Sequence, residues 1–353
     1  MNLRKTFAGK KILITGNTGF KGAWLSLSLK YLGAKVYGIS DNTRTSPNLF
    51  NSLGLKKKIV NKNINLKNFN QLKKNINLIK PDYIFHLAAE ALVKRSYANP
   101  KNTWETNTLG TINILEILRN YKYKTISVFI TSDKVYKNLE IKRGYHENDK
   151  LGDTDPYSAS KSSADIAIQS YYHSYFKKKN NIRISIARAG NVIGGGDWSE
   201  GRLIPDCVKC WQNKKKLIIR SPKSTRPWQH VFDVINGYLI LAEQLSLNVK
   251  HNGHAYNFGP SNIGSRSTVL DVIKHFIKYW PKAKFYVEKK IRFKEANLLK
   301  LDSKKSLKNL KWKTKYNQKQ ALDYTAKWYK EFYRKKSNIY NFSLNQIKNF
   351  FNE

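Results

Sequence analysis

The stretch KKILITGNTGFKGAWLSLSLKYLGAKVYGIS, residues 10–40, decides the fold. It opens on a short apolar run, KKILIT (10–15), which reads as a buried strand. GNTGFKG follows, with glycines at 16, 19 and 22. AWLSLSLKYL (23–32) predicts a helix, and Gly33 stands where a C-terminal cap belongs. KVYGIS (35–40) predicts a second strand, which completes a βαβ unit. Glycines between a strand and a helix let the backbone approach a pyrophosphate at the helix N-terminus. The spacing is G-x-x-G-x-x-G, and a glycine pattern alone is weak. Here the strand, the helix and the second strand are all in place around it. The loop residues Gly16, Asn17, Gly19, Phe20, Lys21 and Gly22 are therefore candidates for dinucleotide contact. Asp41 follows the second strand, where a carboxylate binds the adenosine ribose hydroxyls and favours NAD. Arg44, close by, argues the other way, so NAD over NADP is a leaning at this stage.

The alternation continues outward. KKIVN, a helix at 66–79, DYIFHLAA (82–89), a helix at 106–120 and SVFITS (127–132) come next. A helix at about 157–177 and RISIARAG (183–190) follow. Alternating strands and helices imply a parallel sheet covered on both faces, the doubly wound Rossmann-type α/β class. After residue 190 the texture changes to the glycine-rich GNVIGGGDW and the polar loop IRSPKSTRPWQH. AYNFGPSN (255–262) predicts another strand and turn, and the remainder reads as mostly helical. The expected division is a dinucleotide domain over 1–190 plus about 229–258. A smaller α/β substrate domain takes about 191–228 and 259–353.

The 353 residues carry 65 Lys+Arg against 24 Asp+Glu, a formal net charge of +41. Such a balance raises nucleic-acid binding. The lysines, however, fall in short runs along the whole chain (56–58, 177–179, 214–216) rather than in one arm, and no helix-turn-helix, zinc-finger or RNP pattern is present. The reading is a lysine-rich solvated surface whose field attracts a phosphate-bearing substrate, with no nucleic-acid partner. Two cysteines exclude a disulfide scaffold. No run approaches the ~20 apolar residues of a membrane span. The N-terminus lacks the apolar core of a signal peptide. The expectation is a cytoplasmic protein with no membrane partner. Cys207 and Cys210 form a lone C-x-x-C, poor evidence for zinc, and no metal is expected.

DPYSASK (155–161) places Tyr157 and Lys161 four apart on one helix face, with Pro156 at the helix start. An ammonium beside a phenol favours phenolate, which makes Tyr157 a usable base for an alcohol proton. The pair YxxxK is uninformative alone, since YLGAK (31–35) and YFKKK (175–179) also match. Only 157–161 follows a strand with a hydroxyl at its end: TSDKVY (131–136) supplies Thr131 and Ser132, then Asp133 and Lys134.

With these residues assembled, the chain resembles the extended short-chain dehydrogenases/reductases, which perform redox chemistry on nucleotide sugars. Gly16, Gly19, Gly22, Ser132, Tyr157 and Lys161 match that family's motif positions. The resemblance implies that Leu87, Ala88 and Ala89 of HLAA run beside NAD, with Asn107, Thr131, Tyr157 and Lys161 also at the cofactor. Asn63 and Ile64 fall at the adenine, where the family usually has Asp and an aliphatic residue.

TGNTGFKGAWL, HLAAEALVKRSY, TSDKVY, GYHENDKLGDTDPYSASK, GNVIGGGDWSEGRLIPD and RPWQHV narrow the resemblance to the branch that dehydrates a CDP-sugar. EANLLKLD and SLNQIKNF extend it to the tail. Glu90–Ala91 departs from it, where an amide residue and often a proline are expected.

The resemblance implies a sugar-nucleotide 4,6-dehydratase, a lyase of deoxysugar and surface-polysaccharide biosynthesis. Tyr157 takes the C4 hydroxyl proton as hydride passes to NAD, with Ser132 on the same oxygen. The ketone makes C5–H removable, Asp133 protonates the departing C6 hydroxyl, and the hydride returns to C6. The related dTDP-glucose enzymes carry glutamate where this chain has Lys134, so Lys134 is either base or fixed charge. Ser96, Asn191, Arg202 and Arg226 match substrate-contacting positions, Arg226 at the diphosphate. A homodimer or homotetramer is implied. The alternatives are a dehydratase or epimerase on another nucleotide sugar, or a non-catalytic basic nucleotide-binding protein.

Overall fold

A computed structural model describes residues 2–260, 267–288, 299–334 and 336–352. Ser261–Asn262 of the expected turn and residues 295–298 of EANLLKLD lie outside these.

Seven parallel strands form the main sheet. They are β1 (Lys11–Thr15), β2 (Lys35–Ser40), β3 (Val60–Asn63), β4 (Tyr83–His86), β5 (Thr125–Ile130), β6 (Ile182–Ala189) and β7 (Ala255–Phe258). Their order is β7-β6-β5-β4-β1-β2-β3, a doubly wound sheet whose direction of winding reverses between β1 and β4. The central strands are apolar and buried along their length, as two covered faces require: all six residues of β5 and all four of β4 are buried. Two short parallel pairs stand apart from it, Val192–Ile193 with Gln229–His230 and Leu217–Ile219 with Phe285–Val287.

Five helices frame the site: α1 (Phe20–Tyr31), α2 (Pro156–Tyr171), α3 (Leu203–Gln212), α4 (Val231–Leu247) and α5 (Gln318–Phe332). The first starts three residues earlier than the apolar pattern predicts, because Gly19 takes the N-cap position and the loop flows straight into the helix. Asp155 caps α2 by accepting from the N–H groups of Tyr157 and Ser158, with Pro156 in the first turn. This cap fixes where Tyr157 emerges.

One apolar core joins the sheet to the C-terminal helices. Trp24 of α1 stacks edge-on against Phe232 of α4 and Trp328 of α5, and its indole donates to the Gly195 carbonyl at 2.9 Å. Gly195 is required there, since a Cβ would lie 2.1 Å from the Trp328 ring. The strand at 255–258 and the helix α4 pack with β5 and β6, so the chain returns to the sheet after residue 228.

Candidate active site

The sheet's reversal point lies at the C-terminal ends of β1 and β4, where an open α/β sheet binds its ligand. Gly16 follows β1 with φ +75°, and a Cβ on it would sit 2.8 Å from the Ala88 backbone after β4. A Cβ on Gly22 would sit 2.1 Å from the Gly16 carbonyl oxygen. The glycines thus draw loop, helix and β4 turn together. Gly19 at the N-cap of α1 brings no side chain to the first-turn N–H groups, which leaves them open to an anion. This cradle fits a dinucleotide pyrophosphate.

The other cofactor candidates fall into two sets. Asn17 is fully buried; its amide donates to Asn61 at 2.7 Å and its oxygen accepts from Ser40 at 3.0 Å. Its side chain therefore ties the loop to β2 and β3, and Gly38 leaves it room, a Cβ there lying 2.3 Å from it. Phe20 packs on the core, and Asn107 braces the β4 turn: its amide donates to the Glu90 carbonyl at 3.1 Å and to Ser160 of α2 at 2.9 Å. Thr131 donates to Asp165 at 3.1 Å. Leu87, Ala88 and Ala89 line the turn, the Ala88 N–H donating to Thr15 at 3.3 Å. Asn63 ends β3 exposed and Ile64 is buried. Asp41 and Arg44, set against each other in the sequence, pair at 2.9 Å.

The reaction candidates converge. Ser132 is not the last strand residue, as expected; β5 ends at Ile130. Ser132 instead caps the short turn Asp133–Val135, because its Oγ accepts the Lys134 N–H at 3.2 Å. The same hydroxyl donates to Asp133 at 2.9 Å, and it acts to lower the pKa of the Tyr157 phenol. Asp133 is buried, and burial raises its pKa above the usual carboxylate value, with Lys134 acting in the opposite direction. A shift in that direction favours the protonated form that an acid needs.

Burial shifts two of these candidates against the direction that their pairing would give. Lys161 does not bond the phenol: its ammonium donates to the Ile130 carbonyl at 3.3 Å. Burial drives Lys161 down to about 7, with Lys21 contributing, so its charge is weakened. Tyr157 is pushed up to about 12, burial outweighing the Ser132 hydrogen bond and the Arg202 charge. The Arg202 charge acts to lower the pKa of the phenol. Arg202 sits at the N-cap of α3 and pairs with Asp197 at 2.8 Å.

Lys21 points toward this cluster. Its ammonium lies 3.4 Å from the Tyr238 hydroxyl of α4, and burial, then Arg202, bring it down to about 8 while Asp133 opposes. Ser96 is fully buried, and its hydroxyl donates to the Val93 carbonyl of its own helix at 2.7 Å. The Asn191 carbonyl accepts from Gln229 at 3.1 Å, and Arg226 donates to the Thr225 carbonyl at 2.9 Å. Cys207 faces the core of α3 with its thiol pushed up by burial.

The sequence reading missed the support beneath the site. Asp165 and Arg188 form a fully buried pair at 2.7 Å, and Arg188 also donates to the Tyr136 hydroxyl at 2.9 Å. Their signal was an arginine inside the apolar run ISIARA and an aspartate one turn after Lys161. Tyr238, buried beside Lys21, carried no signal at all within an apolar helix.

Residues 13–325 match the family model described as GDP-mannose 4,6 dehydratase. The chain is 37% identical over 330 residues to a protein of Salmonella typhimurium named CDP-glucose 4,6-dehydratase, covering 92% of each. It is 26% identical to a dTDP-glucose 4,6-dehydratase of Haemophilus influenzae, over 90% of this chain and 98% of that one. Among solved structures, a dTDP-glucose 4,6-dehydratase of Bacillus anthracis in complex with NAD superposes with TM-score 0.73 at 24% identity, covering 90% of this chain and 96% of that one. One from Streptomyces venezuelae superposes with TM-score 0.75 at 21% identity, covering 91% and 97%. These two likenesses concern the fold.

Proposed function

The chain belongs to the GDP-mannose 4,6-dehydratase family, and from that premise we propose that it dehydrates CDP-glucose to CDP-4-dehydro-6-deoxyglucose with NAD. The observation that carries the reading is the hydroxyl of Ser132, which donates to Asp133 at 2.9 Å and acts on the phenol of Tyr157. One group of that pair serves an alcohol proton and the other a leaving hydroxyl, the two tasks of this reaction. The S. typhimurium relative supports CDP as the nucleotide.

The glycine cradle and the first-turn N–H groups of α1 hold the dinucleotide, with Asp41 at the ribose. A dinucleotide held there would supply the hydride chemistry, as acceptor from C4 and donor to C6, with C5 regaining a proton. Tyr157 removes the C4 hydroxyl proton, with Ser132 and the Arg202 charge acting against the burial that raises its pKa, and Ser132 holds the same oxygen. Lys134 stands one residue past the acid, where it acts on C5 as base or as fixed charge. Asp133 gives its proton to the C6 hydroxyl. Arg202, whose charge acts on Tyr157, Arg226 and Asn191, just before the strand Val192–Ile193, bind the sugar nucleotide.

The division into a dinucleotide half (1–190 plus about 229–258) and a sugar-nucleotide half is part of this proposal; the return of α4 and β7 to the main sheet supports it. So is a homodimer or homotetramer. Ile166 of α2 and Tyr97, Trp104 and Leu109 of the helices packed against it stand 54%, 65%, 39% and 52% exposed, apolar side chains suited to a second copy. Among the described residues no helix is long and apolar enough to cross a membrane, which fits a cytoplasmic enzyme.

The test is incubation with CDP-, dTDP-, UDP- and GDP-glucose. The 4-keto product is expected with the CDP-sugar. Turnover of another nucleotide in preference to it would overturn the substrate assignment.

A further inference from the structure

Two residues that sequence left unresolved meet at one ion pair. Arg44 sits in the loop after β2. One guanidinium nitrogen pairs with Asp41 at 2.9 Å, and another lies 3.8 Å from Glu90, in the turn after β4. The strand between β2 and β4 is β1, whose glycine loop forms the cradle. Arg44 therefore reaches across the dinucleotide groove from one wall to the other.

Glu90 is held firmly for this task. Its N–H donates to Asn107 at 2.8 Å and its carbonyl accepts from the Asn107 amide at 3.1 Å. Its Oε1 accepts from the N–H groups of Ala91 and Leu92 at 3.1 and 3.4 Å. Only Oε2 faces Arg44. On the other wall Asp41 also accepts from Asn65 at 3.4 Å. An arginine just past the second strand is the group that accepts the 2′-phosphate of NADP, by bidentate pairing. Here that arginine is engaged by carboxylates on both sides.

We propose that Glu90 is a specificity-determining residue for the dinucleotide: it holds Arg44 across the groove and so denies a 2′-phosphate its partner. The assignment rests on the NAD reading above. It gives the departure Glu90–Ala91 a purpose, and it reconciles Asp41 with Arg44. The arginine is half exposed, so the effect is of surface ion-pair size.

The variant is Glu90→Gln. It keeps an oxygen for the Ala91 and Leu92 N–H groups and removes only the charge. Dissociation constants for NAD and NADP are measured by titration calorimetry on wild type, Glu90→Gln and Glu90→Gln/Arg44→Ala. The ratio of NADP to NAD dissociation constants should fall about three- to fivefold in Glu90→Gln, the worth of an exposed ion pair, and return in the double variant. An unchanged ratio with intact NAD binding would overturn this assignment alone. Equal weakening of both dinucleotides would assign Glu90 to loop structure and overturn it too. Wild-type protein that binds neither dinucleotide would overturn the cofactor reading, and this assignment with it.

Discussion

At the scale of single residues, the chemistry turns on what burial does to charge. Lys21 is brought down to about 8 and Lys161 to about 7, each chiefly by burial. A lysine whose pKa is lower folded than unfolded binds fewer protons in the folded state. Its penalty is full below the folded pKa and fades as pH rises toward about 10, the ordinary lysine value. Lys21→Met removes that penalty. Its melting temperature should therefore exceed that of wild type most at pH 7, and the difference should shrink by pH 10. A pH-independent difference would mean that Lys21 folds charged and paired.

Lys134 carries a separate prediction. Lys134→Met should still oxidise C4, seen as reduced nicotinamide on mixing with substrate, while turnover falls about 100-fold or more. Normal turnover would remove Lys134 from the reaction. The identities of Ser132, Asp133, Lys134 and Tyr157 were legible because their types and spacing are chemical. The direction of the Tyr157 and Lys161 shifts was not, because burial is a tertiary property and here it outweighs the pairing that spacing suggests.

At the scale of elements, the strand–glycine–helix unit has almost no slack. A Cβ at Gly22 would meet the Gly16 carbonyl oxygen at 2.1 Å, so Gly22→Ala must push α1 from the loop. NAD affinity should drop about tenfold or more, measured by calorimetry, with the far-ultraviolet circular dichroism of wild type retained. The Asp165–Arg188 pair ties α2 to β6 and, through Thr131, to the end of β5. Asp165→Ala leaves Arg188 buried without its partner and should cost about 3–5 kcal/mol in denaturant unfolding. A loss below ~1 kcal/mol would show that water reaches the arginine. The βαβ opening was legible from residues 10–40, since apolar runs and glycines report directly on strand, turn and helix. Two boundaries were not. The start of α1 moved to Phe20 because a glycine N-cap carries no side-chain signal, and β5 stopped before Thr131 because Ser132 bonds its own turn.

At the scale of the whole molecule, the charge of +41 is spread rather than gathered. Exposed lysines such as Lys5, Lys30, Lys73, Lys178, Lys304 and Lys348 fall on segments from one end of the chain to the other. Such a field steers a sugar nucleotide toward the cleft without marking a nucleic-acid groove. The apolar face at Tyr97, Trp104, Leu109 and Ile166 makes a further prediction. Leu109→Lys with Ile166→Lys should reduce the assembly to monomers in sedimentation, and an unchanged mass would place the contact elsewhere. Which surface would carry the implied dimer or tetramer was not legible in sequence, because an exposed apolar face is recognised only after the core has claimed its own residues.

The central claim is an internal redox cycle: hydrogen leaves C4, water leaves C5–C6, and the same hydrogen arrives at C6. CDP-glucose deuterated at C4 measures it directly. The expected result is a 4-keto-6-deoxy product with deuterium on C6 and no net accumulation of reduced nicotinamide. Product without deuterium at C6, or reduced cofactor formed in step with the ketone, would contradict it.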